Sequence, residues 1–300
     1  MKETFKQVKS SRDILGFRIV SEVELLNFLY DAFPNRSRNS VKSILRRGQV
    51  SVNGRETTQF DEKLHSGDFV TIVKNEAAKR LGALVGIHII YEDDDVLIID
   101  KDEGILSVPT DKGEYYTVHQ QMMDYVKHQH PRNRIFIVHR LDQDTSGIMI
   151  LAKTEEAKNH LQNNWQEVVP ERTYLAIVEG DVKEKEGTIK SHLLETRTHL
   201  MYSSEDGEGL EAITHYKKLE SKNNYTFMEV GLETGRKNQI RVHMKDLGHP
   251  VVGDKKYGAE GNPIGRLGLH AQAISFIHPR TGRNIRYEAK TPTAFKRIMK

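Results

Sequence analysis

Ile135-Phe-Ile-Val-His-Arg-Leu-Asp-Gln-Asp-Thr-Ser-Gly-Ile-Met-Ile-Leu-Ala-Lys153 reads as two apolar strands flanking a polar loop. The loop, residues 139–147, gathers His139, Arg140, Asp142, Asp144, Thr145, Ser146 and Gly147. Apolar strands bracketing so much chemistry point to a functional loop. The plainer alternative is that Asp142 and Asp144 only form Asx turns leading to Thr145 and Ser146. Outward from this loop, strand-like runs fall at 88–91, 96–100, 173–179, 188–192, 213–219, 225–232, 269–276 and 284–289, besides 135–138 and 148–152 at the loop itself. Helical stretches are fewer: 117–126, 155–167 behind a Thr154 cap, 237–247 stopped by Gly248, and 293–299. Strands that mostly follow strands predict an α+β domain on a mixed or antiparallel sheet rather than a doubly wound parallel one. Neither common spacing of a Gly-rich phosphate loop is present, which weakens any nucleotide-cofactor reading.

At 300 residues, 37% apolar and 29% charged, the chain can bury most of the surface its unfolded form exposes, which excludes a disordered or fibrous protein. No run approaches the ~18 apolar residues of a membrane span. The opening Met1-Lys-Glu-Thr-Phe-Lys lacks the apolar core of a secretory signal, so the cytoplasm is the expected location. Without cysteine there is no disulfide, iron–sulfur cluster, thiolate zinc site or cysteine nucleophile. Residues 1–80 carry 15 Lys and Arg against 10 Asp and Glu, whereas the remaining 220 carry 30 against 32. The basic excess concentrates between Ala32 and Arg55, where no acidic residue occurs, as expected of a surface that meets a polyanion.

That first quarter reads as a small helix-helix-strand domain. Ser21-Glu-Val-Glu24 has the form of a capping box opening a helix with Leu25, Leu26, Phe28, Leu29 and Phe33 on one face. A second helix, 37–47, turns Val41, Ile44 and Leu45 inward and stops at Gly48. Arg38, Lys42 and Arg46 share its other face. An Asn53-Gly54 turn and a strand opening at Gly67 follow. The order Ser37-Arg38, Val41-Lys42, Leu45, Gly48-Gln-Val50, Val52-Asn-Gly54 and Gly67-Asp68, Val70 resembles the RNA-binding domain named after ribosomal protein S-four. The resemblance implies that Arg38, Lys42, Arg46 and Arg47 meet RNA, where phosphate and shape contacts dominate. The expected division is an N-terminal extension 1–20, this domain over 21–74, a linker 75–86 and a larger domain 87–300.

Two chemistries compete for the loop. Asp142-Gln-Asp-Thr145 copies the Asp-x-Asp-x-Thr of haloacid-dehalogenase-type phosphatases, but His139-Arg-Leu141 intervene after the strand and that fold needs a parallel sheet. The unbroken His139-Arg-Leu-Asp-Gln-Asp-Thr-Ser-Gly147 instead resembles the hallmark of the RluA-type pseudouridine synthases. Agreement continues in order through Tyr91 to Lys101 and Gly104, Arg172 to Gly180, Thr234 to His243, Gly248-His-Pro250, Gly253-Asp-Lys-Lys-Tyr-Gly258, Leu269-His-Ala271 and His278-Pro279. The chain departs from the usual pattern at Lys237-Asn238 and at Asp102.

The resemblance implies an isomerase that turns specific uridines of structured RNA into pseudouridine. Large-subunit ribosomal RNA is the first expected target and transfer RNA the second. It assigns catalysis to Asp142, a guanidinium partner to Arg241, and stacking and proton handling to Tyr174. Arg140 is implied as a wedge or phosphate contact when the base is flipped out, and Ile240 as a wall of the uracil pocket. His139 and His243 are read as structural supports and Asp144 as structural or peripheral. His128 and His130 lack carboxylates at ligand spacing, so no metal is expected there. No cofactor is expected for a reaction without a redox step, and the expected state is a monomer with no obligate protein partner.

Overall fold

Apolar alternation makes strands the commonest regular element of the chain, and the computed structural model describes residues 4–8, 14–73, 84–110 and 117–299. By packing, the chain forms two units: Met1–His88 with Ile105–Ile137, and Ile89–Gly104 with Val138–Lys300.

In the first unit, β1 (Phe5–Val8), β2 (Ile14–Ile19), β4 (Val50–Val52), β5 (Arg55–Glu56) and β7 (Phe69–Val73) form a sheet in the order β1-β2-β7-β4-β5. A separate short pair joins β3 (Val23–Glu24) to β6 (Lys63–Leu64). Helices Leu25–Ala32 and Arg38–Arg46 bury Phe28, Leu29, Val41, Ile44 and Leu45 with Phe17, Ile19, Val50 and Val70. Ser37 caps the second helix by accepting a hydrogen bond from the Ser40 amide, and Gly48 ends it at φ 61°. The Asn53-Gly54 turn is locked to the next one, since Asn53 donates to Asp68 at 2.8 Å and accepts from the Phe69 amide at 2.9 Å.

Three sequence expectations change here. Residues 14–19 are no extension: β2 pairs with β7 and places Phe17 and Ile19 in the core. Ser21 caps nothing, because Val23 and Glu24 pair with β6 and the helix begins only at Leu25, with Glu24 at its N-cap and no side-chain cap. A single cut before residue 87 does not describe the packing either, as 105–137, with the Val118–Gln129 helix and the short β10 (Phe136–Ile137), group with the first unit. The expected linker lies largely outside the described residues.

The second unit is built on one long mixed sheet. Its strands are β8 (Ile87–Glu92), β9 (Val96–Lys101), β11 (Ser146–Ala152), β12 (Glu171–Glu179), β13 (Glu186–Glu195), β14 (Met201–Ser204), β15 (Leu210–Lys222), β16 (Tyr225–Leu232), β17 (Leu269–Ile277) and β18 (Asn284–Glu288). They run in the order β14-β13-β15-β16-β12-β17-β11-β9-β8, with β18 beside β17. Nearly all pairs are antiparallel and β11 with β17 is parallel, which makes the fold α+β as the strand succession predicts. The central β11 is buried along its whole length, whereas β13 alternates in exposure, as a middle and an outer strand should. β12 and β17 slip by one residue: Thr173 faces Ala273 but Tyr174 faces Ala271, leaving Gln272 as a bulge. The helix expected over 155–167 breaks at Asn164 into Glu155–Asn163 and Trp165–Val168, with the Trp165 ring 4.9 Å from that of His139. Tertiary packing outweighs local propensity there.

Candidate active site

The polar loop 139–147 is pinned from both sides. Lys101 is fully buried and donates from Nζ to the Gln143 carbonyl at 3.1 Å and the Asp102 carbonyl at 3.0 Å. Gln143 and Gly104 exchange two further hydrogen bonds, at 2.8 and 3.2 Å. Burial lowers the Lys101 ammonium to about 7, with the nearby Asp144 opposing and Arg266 reinforcing the shift. At the far end Gly147, at φ 119°, lies so close to Ala271 that any Cβ would meet the Ala271 carbonyl. The Asp142 carbonyl accepts from the Thr145 amide at 3.2 Å, which closes the turn that carries the carboxylate. His139 Nε2 accepts from the Ile150 amide at 2.9 Å, and burial holds this imidazole down at about 3, so it braces the loop as a neutral ring.

Arg241 comes from the Gln239–Asp246 helix. That helix starts at Asn238 in the left-handed conformation, and the buried Gln239 amide fixes its first turn. Gln239 accepts from Thr234 and the Arg236 amide, and donates to the Ile213 carbonyl and Thr214. Asp254 receives the guanidinium as a fork, with Nε to Oδ2 at 2.6 Å and Nη2 to Oδ1 at 2.8 Å. The remaining Nη1 lies 3.2 Å from Asn238 Oδ1 and 3.4 Å from Asp142 Oδ2. The Tyr257 ring lies beneath, 4.9 Å from the guanidinium carbon, and its hydroxyl accepts from Asn238 at 2.9 Å. Burial disfavours the Arg241 charge, but Asp254 and then Asp142 outweigh it and hold the group above its ordinary range. The two carboxylates differ sharply: the Asp254 side chain is 1% exposed and that of Asp142 28%.

The bulge in β17 lies across from Tyr174, which stands beside this pair. Asp142, Tyr174, Arg241, Arg140 and Ile240 all line one pocket of roughly 70 Å³. Burial pushes the Tyr174 phenol up to about 12; Arg172 opposes and Asp142 adds to the shift. Ile240 is buried against Met228 and Val230, and Arg140 is exposed at the pocket. His243 supports the helix through Ser191 at 2.9 Å and Thr214 at 2.8 Å, and Asp144 is exposed.

The network also contains groups whose parts sequence reasoning left unassigned: Asp254, Tyr257, Asn238 and Lys101. Gly253-Asp254 and Tyr257-Gly258 were visible as a motif, but which cation Asp254 would meet depends on a fold that brings it to a helix thirteen residues earlier. At the departure from the family pattern, Asn238 bridges Arg241 and Tyr257, while Lys237 pairs with Glu195. Among the described residues the acidic and histidine side chains close enough for a metal are Asp93, Asp95 and His278, not the His128 and His130 pair. Arg280 and Tyr91 already engage those carboxylates.

In the first unit Arg38, Lys42 and Arg46 are exposed along one helix, and Arg47 is its exposed C-cap. Arg38 lies over the Tyr30 ring at 5.4 Å.

Residues 95–246 match the family described as RNA pseudouridylate synthase. An RNA pseudouridine synthase of Bacillus subtilis designated uncharacterized, YlyB, is 34% identical over 88% of this chain and 89% of its own. The ribosomal large subunit pseudouridine synthase D of Haemophilus influenzae is 32% identical over 90% of this chain and 88% of its own. Among solved structures, human RNA pseudouridylate synthase domain containing 1 superposes with a TM-score of 0.55 at 26% identity, covering 69% of this chain and 84% of that one. The corresponding human domain containing 4 gives 0.57 at 22%, a likeness of fold, over 69% and 90%.

Proposed function

The chain belongs to the RNA pseudouridylate synthase family, and from that membership we propose that Asp142, Tyr174 and Arg241 isomerise specific uridines of structured RNA to pseudouridine, large-subunit ribosomal RNA being the first target. The observation that carries the site assignment is the convergence of these three residues, from a loop, a strand and a helix, on one pocket.

The reaction breaks the bond between uracil N1 and the ribose, turns the base, joins C5 to the same ribose carbon, and moves a proton from C5 to N1. Atoms and electrons balance within the nucleotide, so no oxidant, reductant or co-substrate enters. Asp142 is the one carboxylate of the network that reaches the open pocket; it serves as nucleophile towards sugar or base, or removes a sugar proton. Asp254 takes two of the Arg241 nitrogens, so the guanidinium aims Asp142 without enclosing it. Tyr174, with its phenol at about 12, keeps its proton at neutral pH. Its ring offers a stacking face, and its hydroxyl relays the C5 proton through water rather than taking it as a phenolate. The pocket opens to solvent beside the exposed Arg140, which gives a flipped uracil its way in. Residues 21–74, as an S-four-type domain, supply RNA affinity through Arg38, Lys42, Arg46 and Arg47. The enzyme acts as a monomer in the cytoplasm; no helix among the described residues is long and apolar enough to cross a membrane.

The test is site mapping of pseudouridine in RNA from cells with and without the protein. A defined ribosomal site should lose its modification on deletion and regain it with wild type but not with Asp142→Asn. Restoration by Asp142→Asn would overturn the catalytic assignment, and loss confined to transfer RNA would overturn the substrate.

A further inference from the structure

The first unit contains a cavity of roughly 350 Å³ on a flank of the Arg38–Arg46 helix away from Arg38, Lys42 and Arg46. At 100° per residue, Ser40, Ser43 and Arg47 fall on one side of this helix and Arg38, Lys42 and Arg46 on another. The helix therefore presents two cationic faces of different shape. One is flat and turned outward. The other overhangs a hollow floored by Ile44 and Ile72.

The chemistry of that hollow is specific. Arg36 lies over the Phe33 ring, its guanidinium carbon 5.0 Å from the centroid, which leaves the second flat face of the guanidinium for another ring. Arg47 and the hydroxyls of Ser40 and Ser43 supply donors around the same space. No carboxylate lines it, and among the described residues neither Arg36 nor Arg47 has an acidic partner. The volume equals about twelve waters, room for one nucleotide of about twenty non-hydrogen atoms.

We infer that this cavity captures a single unpaired nucleotide of the RNA, its base stacked on the Arg36–Phe33 pair and its phosphate held by Arg47 with the Ser40 and Ser43 hydroxyls. The inference rests on the reading that the first unit binds RNA, and gives that unit a preference that a purely phosphate-reading face lacks. Flat contacts to phosphate accept any helix, whereas a stacking pocket requires a base free of its partner.

The experiment titrates the full-length protein with three labelled hairpins: one with a single bulged adenosine, one with an abasic residue at the bulge, and one fully paired. Adenosine keeps the uridine site of the second unit out of the comparison. Wild type should bind the bulged hairpin about tenfold more tightly than the other two, the scale of one base–aromatic stack. Arg36→Ala, and Ser43→Leu, which fills the hollow, should each bring that ratio to about one while binding of the paired hairpin stays within about twofold. Arg36→Lys, keeping the charge without the flat face, should lose the ratio as Arg36→Ala does. Replacing Arg38, Lys42 and Arg46 together by Ala should weaken all three hairpins and leave the ratio standing. Equal wild-type binding of the bulged and abasic hairpins, or a ratio that survives in folded Arg36→Ala and Ser43→Leu, would overturn the pocket while RNA binding by the unit stands. Failure of wild type to bind any hairpin would overturn both.

Discussion

The arginines of the two units are held in opposite ways. In the second unit Arg241 is locked: two nitrogens on Asp254, the third shared between Asn238 and Asp142, and an aromatic ring beneath. In the first unit Arg38, Lys42 and Arg46 stand exposed on a helix with no acidic neighbour in sequence from Ala32 to Arg55. A reacting carboxylate needs its partner fixed beforehand, because any reorganisation adds to the barrier. A surface that meets phosphates needs charges not already neutralised, because affinity comes from displacing counterions. On the proposed function, the same residue type would serve chemistry where it is held by several partners and capture where it stands exposed.

The contrast breaks most readily at Arg241. Arg241→Lys keeps the charge but cannot fork Asp254 and still face Asp142, so kcat should fall about 10²-fold with little change in RNA affinity, as single-turnover kinetics would show. Asp254→Asn strands the same buried guanidinium. It should cost about 3 kcal/mol of stability in a denaturant melt and lower kcat at least tenfold; a variant as stable and active as wild type would mean that Arg241 is aimed by something else. Tyr174→Phe should bind RNA normally and turn over about 10²-fold more slowly. With the phenol at about 12, Tyr174 should contribute no loss of rate between pH 7 and 9: the wild-type and Tyr174→Phe profiles should run parallel there, and a fall seen in wild type alone would mean that the proton leaves lower than its burial implies.

Acid separates the units next. His270 is buried and held at about 3, burial and Arg266 both disfavouring its charge, and His243 is lowered by burial. The unfolded chain protonates these rings near 6.5 and the folded chain does not, so stability is lost as pH falls from 6.5 towards 3. None of the first unit's histidines among the described residues is buried. Hydrogen exchange at pH 4.5 should therefore open the second unit before the first. The smallest effect is expected for Ala at Arg38, Lys42 and Arg46: kcat unchanged, and the salt slope of RNA binding reduced by about 1 or less per residue.

How much of this the sequence carried depends on distance along the chain. The loop at 139–147 was legible because its two apolar flanks and its polar content lie within nineteen residues. The α+β sheet was legible from strand succession. Placing Asp142, Tyr174 and Arg241 in one pocket needed the family motifs, since no local pattern relates residues about a hundred positions apart. Asp254 escaped because a buried acid looks like any other until its partner is known. The start of the Leu25–Ala32 helix was misread because a capping box is a local signal, and the pairing of Val23 and Glu24 with Lys63 and Leu64 is not. Strand β2 is hard to read from sequence because its six residues include Gly16 and Arg18 and give little alternation to count.

The slip that leaves Gln272 outside the ladder makes one stretch of the protein sensitive to length as well as to identity. Gln272 is buried, and its side chain donates to the Ala289 carbonyl and Glu288 and accepts from Thr291. Removing one position there is another matter: each residue of β17 on one side of the gap would exchange its inward and outward directions, and the tyrosine across from it would face the wrong way. Packing constrains which side chains this buried segment can carry, and the slip fixes how many residues it must contain.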